Sequence, residues 1–402
     1  MRLRAQTALF GPAFVAAIAY VDPGNVASNS QAGARYGYLL VWVVLLANLV
    51  AGQVQYLSAK LGLVTGMSLP QALRERMTTP IRIAYWAQAE LVSMATDVAE
   101  VIGGALALSM LFGVPMVYGG LITGVVSMLL LNVQNAGQRQ FERLVSWLLL
   151  VIAVGFVAGL FVAPPSAGGL ARGLVPSFVD GGSVLIATSM LGATVMPHAI
   201  YLHSALARDR HGKPTGARLT GLLRTTRYDV SSAMAFAGGV NLCMVLLAAT
   251  VLRGHGGVDS IIGVHDVLSH DLGAAIGLAF AIGLLASGLA STSVGCYAGA
   301  VVIEGLLRRR IPLLVRRVVT LLPALGLLAM GVNPTMALIL SQVVLSFGVP
   351  FALIPLVRLT GSRAVMGEHV NRRRTTVLAA LSAGLIVLLN LALIGLTVAG
   401  GA

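Results

Sequence analysis

Charge is scarce in this sequence. Of its 402 residues only 10% are Asp, Glu, Lys or Arg, whereas soluble domains carry about 25%. Hydrophobic residues make up 57%, and the mean hydropathy is +0.89. This composition excludes a water-soluble globular protein and indicates a chain that lies almost entirely within a membrane.

Cysteine and long polar segments are scarce as well. The two cysteines, Cys243 and Cys296, both lie in apolar runs, so no disulfide framework is expected. The longest connections, residues 165–181, 208–227 and 253–271, are too short to hold a soluble domain. Neither a nucleophile–base set nor a glycine-rich phosphate loop stands out, so we do not expect an enzyme.

Eleven apolar runs in the sequence are long enough to cross a bilayer. We therefore predict an all-α integral membrane protein with eleven transmembrane helices in one domain, residues 1–400. The predicted spans are 7–33, 38–64, 81–112, 116–134, 143–164, 182–207, 228–252, 272–307, 312–331, 333–358 and 375–399.

The basic residues predict how these spans are oriented. If the N-terminus is cytoplasmic, all of the 27 Lys and Arg residues except Arg35, Arg172 and Arg253 lie on the cytoplasmic side. The C-terminus is then extracytoplasmic. The net charge of +13 is thereby explained by topology and by contact with anionic lipid, and we expect no nucleic-acid partner.

The first span is interrupted by Asp22-Pro23-Gly24-Asn25. Pro23 removes a backbone donor and clashes with the preceding turn, and Gly24 admits conformations that other residues avoid. Inserting an acidic side chain such as that of Asp22 into the middle of the bilayer costs roughly 2.5–3.5 kcal/mol. A functional site is therefore the default interpretation. The alternative is a simple proline kink whose acid snorkels to the interface.

The sixth span carries a matching break at Met196-Pro197-His198. An alanine stands three residues before Asp22 and another three residues before Met196. The two breaks are five spans apart, an odd number, so the second copy enters the membrane from the opposite side. Paired breaks in inverted repeats indicate a substrate site near the bilayer midplane. The predicted repeats are residues 7–164 and 182–358, and residues 375–399 form an additional helix.

The two breaks together offer a mixed set of ligands. Asp22 supplies an anionic oxygen, Asn25 a neutral oxygen and Met196 a thioether. Carbonyls freed by the breaks, those of Ala19 and Ala193, add further oxygens. Oxygen-only cages suit Mg²⁺ and Ca²⁺, whereas sulfur favours softer divalent transition metals. Core packing is the alternative role for the methionine.

The third span carries three acids, Glu90, Asp97 and Glu100. At 3.6 residues per turn, Glu90 and Asp97 differ by about 20° and Asp97 and Glu100 by about 60°, so all three share one face. Intramembrane acids in a line are typical of a proton relay, and Glu90 is the one nearest the cytoplasmic end. A polar seam that holds the span against its neighbours is the alternative. His198 either relays protons or shapes the second break as a neutral, hydrogen-bonded ring.

These residues resemble the Nramp family of divalent-metal/proton symporters, and within it the bacterial manganese transporters. DPGN at 22–25 and MPH at 196–198 carry the resemblance, which extends over essentially the whole chain. It implies a LeuT-type fold of five plus five inverted repeats and import of Mn²⁺, with Fe²⁺ and Cd²⁺ as further substrates, by proton symport. Other similar segments are TDVAEVIGGALAL at 96–108, IYLHSAL at 200–206 and SQVVLSFGVPFALIPL at 341–356.

The resemblance also implies roles for single residues. Gln342 would join the metal ligands in some conformations, and Ala199 replaces an asparagine that eukaryotic relatives often carry. Arg316 and Arg317, which otherwise read as positive-inside anchors, would pair with the acids of the third span. The implied metal ligands are Asp22, Asn25, Met196, Gln342 and the carbonyls of Ala19 and Ala193. The implied proton pathway is Asp22, Asp97, Glu100, His198, Arg316 and Arg317.

The expected partners are therefore a divalent metal ion, a proton and membrane lipid. We expect no cofactor apart from the transported ions, and a monomer in the bacterial plasma membrane. Two other functions remain open on the same sequence: a sodium-coupled symporter of organic solutes, and an ion channel. The outer connection also carries acids and histidines whose irregular spacing favours a solvated loop over a metal-collecting cluster. They are His255, Asp259, His265, Asp266, His270 and Asp271.

Overall fold

The computed structural model describes residues 12–136, 147, 150–151, 153–154, 156–309 and 311–399. In these ranges the regular secondary structure is helical, and no strand occurs. The predicted start of the first span at residue 7 lies outside the described residues, as does much of the fifth span. The helices of the first half are α1 Pro12–Ile18, a 3-10 turn Ala19–Val21, α2 Pro23–Tyr36, α3 Val41–Thr65, α4 Leu69–Arg74, α5 Thr79–Phe112 and α6 Met116–Ala136.

The second half of the chain continues in the same all-helical manner, and within the fifth predicted span residues 156–162 are helical. Its helices are α7 Ala167–Gly173, α8 Gly181–Thr194, α9 Pro197–His211, α10 Gly216–Leu247 with a π-helical end Ala248–Leu252, α11 Ile261–Asp271, α12 Ala274–Leu307, α13 Leu313–Ala329, α14 Pro334–Thr360, α15 Arg363–Met366 with a 3-10 turn Gly367–His369, and α16 Arg373–Val398.

Within the described part of the chain, seven helices are long and apolar enough to cross a membrane, with α8 and α9 taken together as one. The breaks make α1 and α2 too short to be counted, and α13 has only 17 residues. Most helix ends fall within a few residues of the predicted spans. The main difference is α10, which begins at Gly216 rather than near residue 228. A helix can extend beyond the apolar run that marks a span, and the Ala, Leu and Arg residues among 216–227 favour helix.

The broken helices occupy the middle of the bundle. Almost the whole of the most apolar stretch of α8 and α9 is buried, whereas most of α16 faces outward. Helix α3 packs on α9 and α10, α5 packs on α12, and α14 packs on α8. These neighbours enclose the two breaks from several sides, so that the freed backbone groups are buried in protein, as a membrane interior requires.

Gly192 allows α8 to approach α14 closely. A Cβ atom at this position would overlap the carbonyl oxygen of Gln342 and lie 2.7 Å from the backbone nitrogen of Ser346. Backbone atoms of a packed helix cannot move aside individually, so the two helices would have to separate.

We expect Gly192→Ala to destabilise the protein by about 1–3 kcal/mol, the usual cost of overpacking, and to lower its thermal midpoint in detergent. Gly239→Ala on α10 is the matched control, since a Cβ atom there has no neighbour within 4 Å. Equal thermal midpoints of the two variants would contradict the close packing of α8 on α14.

Candidate metal site

The first break places Asp22 between two helices. The 3-10 turn ends at Val21, Asp22 is extended (φ −81°, ψ 170°), and α2 begins at Pro23. Proline suits the first position of a helix because its missing N–H would have no partner there. The Asp22 carboxylate caps α2: its Oδ1 accepts hydrogen bonds from the backbone N (2.7 Å) and from Nδ2 (2.8 Å) of Asn25. The cap fixes the carboxylate and the amide side by side.

The second break, between α8 and α9, has a similar local design. Helix α8 ends at Thr194, Val195 and Met196 leave the helical conformation, and α9 begins at Pro197. Met196 is the N-cap residue of α9 but makes no capping hydrogen bond with its side chain. The side chain is fully buried, and a thioether at the cap position leaves the first N–H groups of α9 without the oxygen that normally accepts from them.

The structure brings the two breaks together. Asn25 Nδ2 donates to the carbonyl oxygen of Ala193 at 3.0 Å, and the Thr194 hydroxyl donates to Asn25 Oδ1 at 3.3 Å. The side chains of Asp22 and Asn25 are completely buried. Residues more than 160 positions apart in sequence therefore form one polar centre inside an apolar bundle.

Gln342 on α14 completes this centre from a third direction. Its Nε2 lies 3.5 Å from Asp22 Oδ2, and its Oε1 is buried without a hydrogen-bond partner. Neighbouring helices hold the backbone of the first break: Asn241 Nδ2 donates to the Tyr20 carbonyl at 2.7 Å and the Ser287 hydroxyl to the Val21 carbonyl at 2.6 Å. The centre thus combines a fixed frame with an amide oxygen that is available to a ligand.

The acids of the predicted third span meet the arginines of α13. Arg317 Nη1 lies 2.8 Å from Asp97 Oδ1, and Arg316 Nη2 lies 3.2 Å from Glu90 Oε1. Both guanidinium groups are buried, so their position is not that of anchors at the membrane surface. Asp97 Oδ2 and both carboxylate oxygens of Glu100 are buried without a hydrogen-bond partner. The acids of α5 and the two arginines of α13 therefore form one polar cluster inside the bundle.

The two histidines of α9 have different surroundings. His198 Nδ1 lies 3.3 Å from the hydroxyl of Thr96 on α5, one residue before Asp97. His203 Nδ1 lies 2.6 Å from Gln55 Oε1, and Gln55 in turn donates to the hydroxyl of Tyr20. His198 therefore bridges the second break to the helix with the acids, whereas His203 belongs to a hydrogen-bonded network behind the first break.

The histidines and acids of the outer connection form exposed pairs. His255 Nε2 and His270 Nδ1 lie 3.1 and 2.9 Å from the two oxygens of Asp271, and His265 pairs with Asp266. In the described ranges no group of three or more His, Cys, Asp or Glu side chains is placed to hold a metal ion. The connection is not an irregular loop, because Ile261–Asp271 forms helix α11.

Several polar residues around the site were not singled out from the sequence. Thr194 contacts Asn25, Asn241 holds the Tyr20 carbonyl, and Gln55 joins His203 to Tyr20. A signal for the two amides was present, because Gln55 and Asn241 are polar residues inside apolar runs, where an unpaired amide is costly. A threonine gives no such signal, since it is common in membrane helices.

Comparison with known proteins gives a consistent result. Residues 13–396 match the family described as "Natural resistance-associated macrophage protein-like", Nramp. The chain is 60% identical over 394 residues to the "Divalent metal cation transporter MntH" of Mycobacterium tuberculosis (strain ATCC 25618 / H37Rv), covering 98% of this chain and 92% of that protein. It is 46% identical over 386 residues to the protein of the same name from Bacillus subtilis (strain 168), covering 96% and 91%.

Solved structures show the same similarity. The Eremococcus coleocola manganese transporter, in complex with an aromatic bis-isothiourea substituted compound, superposes with a TM-score of 0.86 at 32% identity, covering 96% of this chain and 85% of that chain. MhsT, in complex with L-phenylalanine, superposes with a TM-score of 0.62 at 15% identity, covering 94% and 98%. The likeness to MhsT is one of fold alone.

Proposed function

The chain belongs to the Nramp family, and from that premise we propose that it imports divalent transition metal ions, Mn²⁺ foremost, into the cytoplasm together with protons. The observation that carries this proposal is the polar centre at the two helix breaks. The carboxylate of Asp22, the carboxamide of Asn25 and the thioether of Met196 are all buried at these breaks. Such a donor set suits Mn²⁺, Fe²⁺ and Cd²⁺ better than Mg²⁺ or Ca²⁺.

The hydrogen bonds of Asn25 suggest how the metal is taken up. Its Nδ2 donates to both Asp22 Oδ1 and the Ala193 carbonyl, so an N–H₂ group lies between two oxygens that would ligate a cation. We propose that an entering ion displaces this group, and that Asn25 turns its carbonyl oxygen towards the metal. Asp22, Asn25, Met196 and the carbonyls of Ala19 and Ala193 then replace most of the hydration shell. Gln342 joins through its unpartnered Oε1.

The proton is proposed to move along the path of buried acids. Asp22 holds it when the metal is absent, and His198 lies between the second break and α5, on which Asp97 and Glu100 stand. The unpartnered oxygens of these two acids are sites at which a proton can be accepted without breaking an existing hydrogen bond. Arg316 and Arg317 compensate the negative charges of Glu90 and Asp97, with which they pair.

We propose the membrane architecture that the sequence predicts. Eleven spans form inverted repeats at about 7–164 and 182–358, with an additional helix at about 375–399. The N-terminus is cytoplasmic, the C-terminus is extracytoplasmic, and a monomer in the bacterial plasma membrane is the functional unit. Rocking of one repeat against the other exposes the polar centre to each side of the membrane in turn.

The proposal is tested with the purified protein in liposomes that contain a pH-sensitive dye. We expect saturable uptake of Mn²⁺, Fe²⁺ and Cd²⁺, with internal acidification, and little uptake of Mg²⁺ or Ca²⁺. Uptake of an amino acid driven by Na⁺ would favour the organic-solute symporter, whose anionic substrate Asp22 should repel. Uptake that does not saturate and moves no protons would favour a channel.

Met196→Ala tests whether the thioether selects the metal. We expect Ca²⁺ to compete with Mn²⁺ about tenfold better in the variant, equivalent to about 1.4 kcal/mol of lost selectivity. Cd²⁺ uptake should fall more than Mn²⁺ uptake, because cadmium gains more from sulfur ligands. Met190→Ala is the control, since this methionine is buried on α8 away from the N-cap of α9. Unchanged competition by Ca²⁺ would show that Met196 serves only for packing.

A further inference from the structure

A second polar site, which shares no residue with the helix breaks, lies where α3 and α10 meet the connection between α14 and α16. A cavity of about 340 Å³ opens there, lined by Tyr56, Lys60, Arg227, His369, Asn371 and Arg372, among others. Its volume falls at the lower end of the range typical of small-molecule sites, about 300–1,000 Å³. We propose that this pocket, here called the Lys60 pocket, binds a phosphate-bearing anion.

The burial of Lys60 is the first argument. Only 8% of this residue is exposed, and its Nζ donates to the neutral Asn371 Oδ1 at 2.7 Å. In the part of the chain that the structure describes, no carboxylate lies within ion-pair distance of the ammonium group. A buried cation is costly unless a counter-charge is present, and two of its three N–H groups remain available for an anion.

The rest of the lining extends this positive character. The guanidinium carbon of Arg227 lies 5.8 Å from the centre of the Tyr56 ring, a contact that orients the group without neutralising it. Arg372 is the third basic residue of the lining, and it is exposed to solvent, as are Arg227 and the one acid, Glu368. With three Lys and Arg side chains against one acid, the lining has an excess of basic groups.

The position of Asn371 shows that the pocket is built rather than incidental. Its backbone N donates to the Thr360 carbonyl at 3.0 Å, and its Nδ2 donates to the Thr360 hydroxyl at 2.9 Å. These bonds attach the connection to the end of α14 and aim the amide oxygen at Lys60. The ammonium group is thereby held at the wall of the cavity, where it can face a ligand.

The chemistry of the lining selects the ligand class. An ammonium and two guanidinium groups from three separate segments can surround a tetrahedral anion with several acceptor oxygens, which is the usual way proteins bind phosphate. The positive-inside pattern of the sequence predicts that this end of α3 and α10 faces the cytoplasmic lipid headgroups. Basic pockets between membrane helices at this level bind anionic headgroups. A lipid phosphodiester and free inorganic phosphate share this chemistry.

Binding is measured on the full chain purified in a neutral detergent. One arm titrates phosphatidylglycerol, with phosphatidylcholine as reference, and counts bound lipid by native mass spectrometry. The other arm titrates inorganic phosphate, with chloride at equal ionic strength as reference, and follows the thermal midpoint. The variants are Lys60→Gln, Arg227→Gln and Arg372→Gln. Arg224→Gln on the same helix is the control, because Arg224 is exposed and does not line the cavity.

We expect Lys60→Gln to weaken binding about tenfold or more, and each arginine variant to weaken it several-fold, with Arg224→Gln unchanged. Lys60-dependent binding of phosphatidylglycerol alone identifies a lipid headgroup, and Lys60-dependent binding of inorganic phosphate without lipid identifies a soluble anion. Either result supports the proposal. If Arg227→Gln and Arg372→Gln bind the lipid and phosphate as tightly as Arg224→Gln does, the proposal is overturned, even if Lys60→Gln does not fold. The proposal is also overturned if chloride raises the thermal midpoint as much as phosphate does.

Discussion

Asp22→Asn is expected to reduce Mn²⁺ uptake into liposomes about 100-fold or more, to the level of protein-free vesicles, which corresponds to about 3 kcal/mol of lost stabilisation. The carboxylate is the one anionic ligand that the two breaks offer, and a divalent ion that sheds water in a buried site needs such a charge. The substitution preserves the fold, because asparagine is as good an N-cap as aspartate. The hydrogen bond from the backbone N of Asn25 therefore persists, and the variant isolates the charge.

Asp259→Asn is the matched control for this experiment. Asp259 pairs with Arg35 at 3.0 Å on the protein surface, and its side chain is 79% exposed. An exposed ion pair is worth about 0–1 kcal/mol, so uptake by this variant should equal that of the unmodified protein. Near-normal Mn²⁺ uptake by Asp22→Asn would remove the first break from the metal site and leave the proline-kink interpretation.

The positions of the two breaks were predictable from the sequence, because their cause is local. Proline cannot continue a helix but fits its first turn, and α2 and α9 begin at Pro23 and Pro197 as expected. That the two breaks hold equivalent positions in inverted repeats, as span counting and alanine spacing indicate, stays a prediction. Whether Asp22, Asn25 and Met196 bind metal stays a prediction, since the geometry supports it but does not test it.

The contacts between distant residues were not predictable in the same way. That Asn25 reaches Ala193, and that Thr194 reaches Asn25, depends on how α2 and α8 cross, which a single sequence does not encode locally. Spacing placed Glu90, Asp97 and Glu100 on one face, but only the packing of α13 decides that Arg317 faces Asp97 and Arg316 faces Glu90.

Lys60 shows that the charge pattern along the sequence does not predict the burial of a single basic residue. Counted with the other basic residues, it reads as a topology signal at a membrane surface. In the structure it is buried and bound to Asn371, a residue more than 300 positions later. The same rule misjudges Arg316 and Arg317, which lie inside the bundle. Basic residues near the ends of apolar runs therefore indicate orientation as a group, while single members can be interior residues.

Arg317→Leu is expected to destabilise the protein by about 3–5 kcal/mol, because it leaves Asp97 as a buried charge without a partner. Arg317 is completely buried, and besides Asp97 it donates from Nε to the Ser127 hydroxyl at 2.9 Å. Unfolding in mixed detergent micelles measures the loss. Arg35→Leu is the control, since it breaks the exposed pair with Asp259 and should cost no more than about 1 kcal/mol.

The double variant Asp97→Leu/Arg317→Leu separates the two roles that the sequence left open for the acids. Replacing both members of a buried ion pair by apolar residues is often neutral or stabilising, so most of the lost stability should return. If the pair carries protons, internal acidification during Mn²⁺ uptake should stay low although the protein is folded. Wild-type acidification in the stable double variant would instead assign Asp97 and Arg317 to a polar seam that only holds α5 against α13.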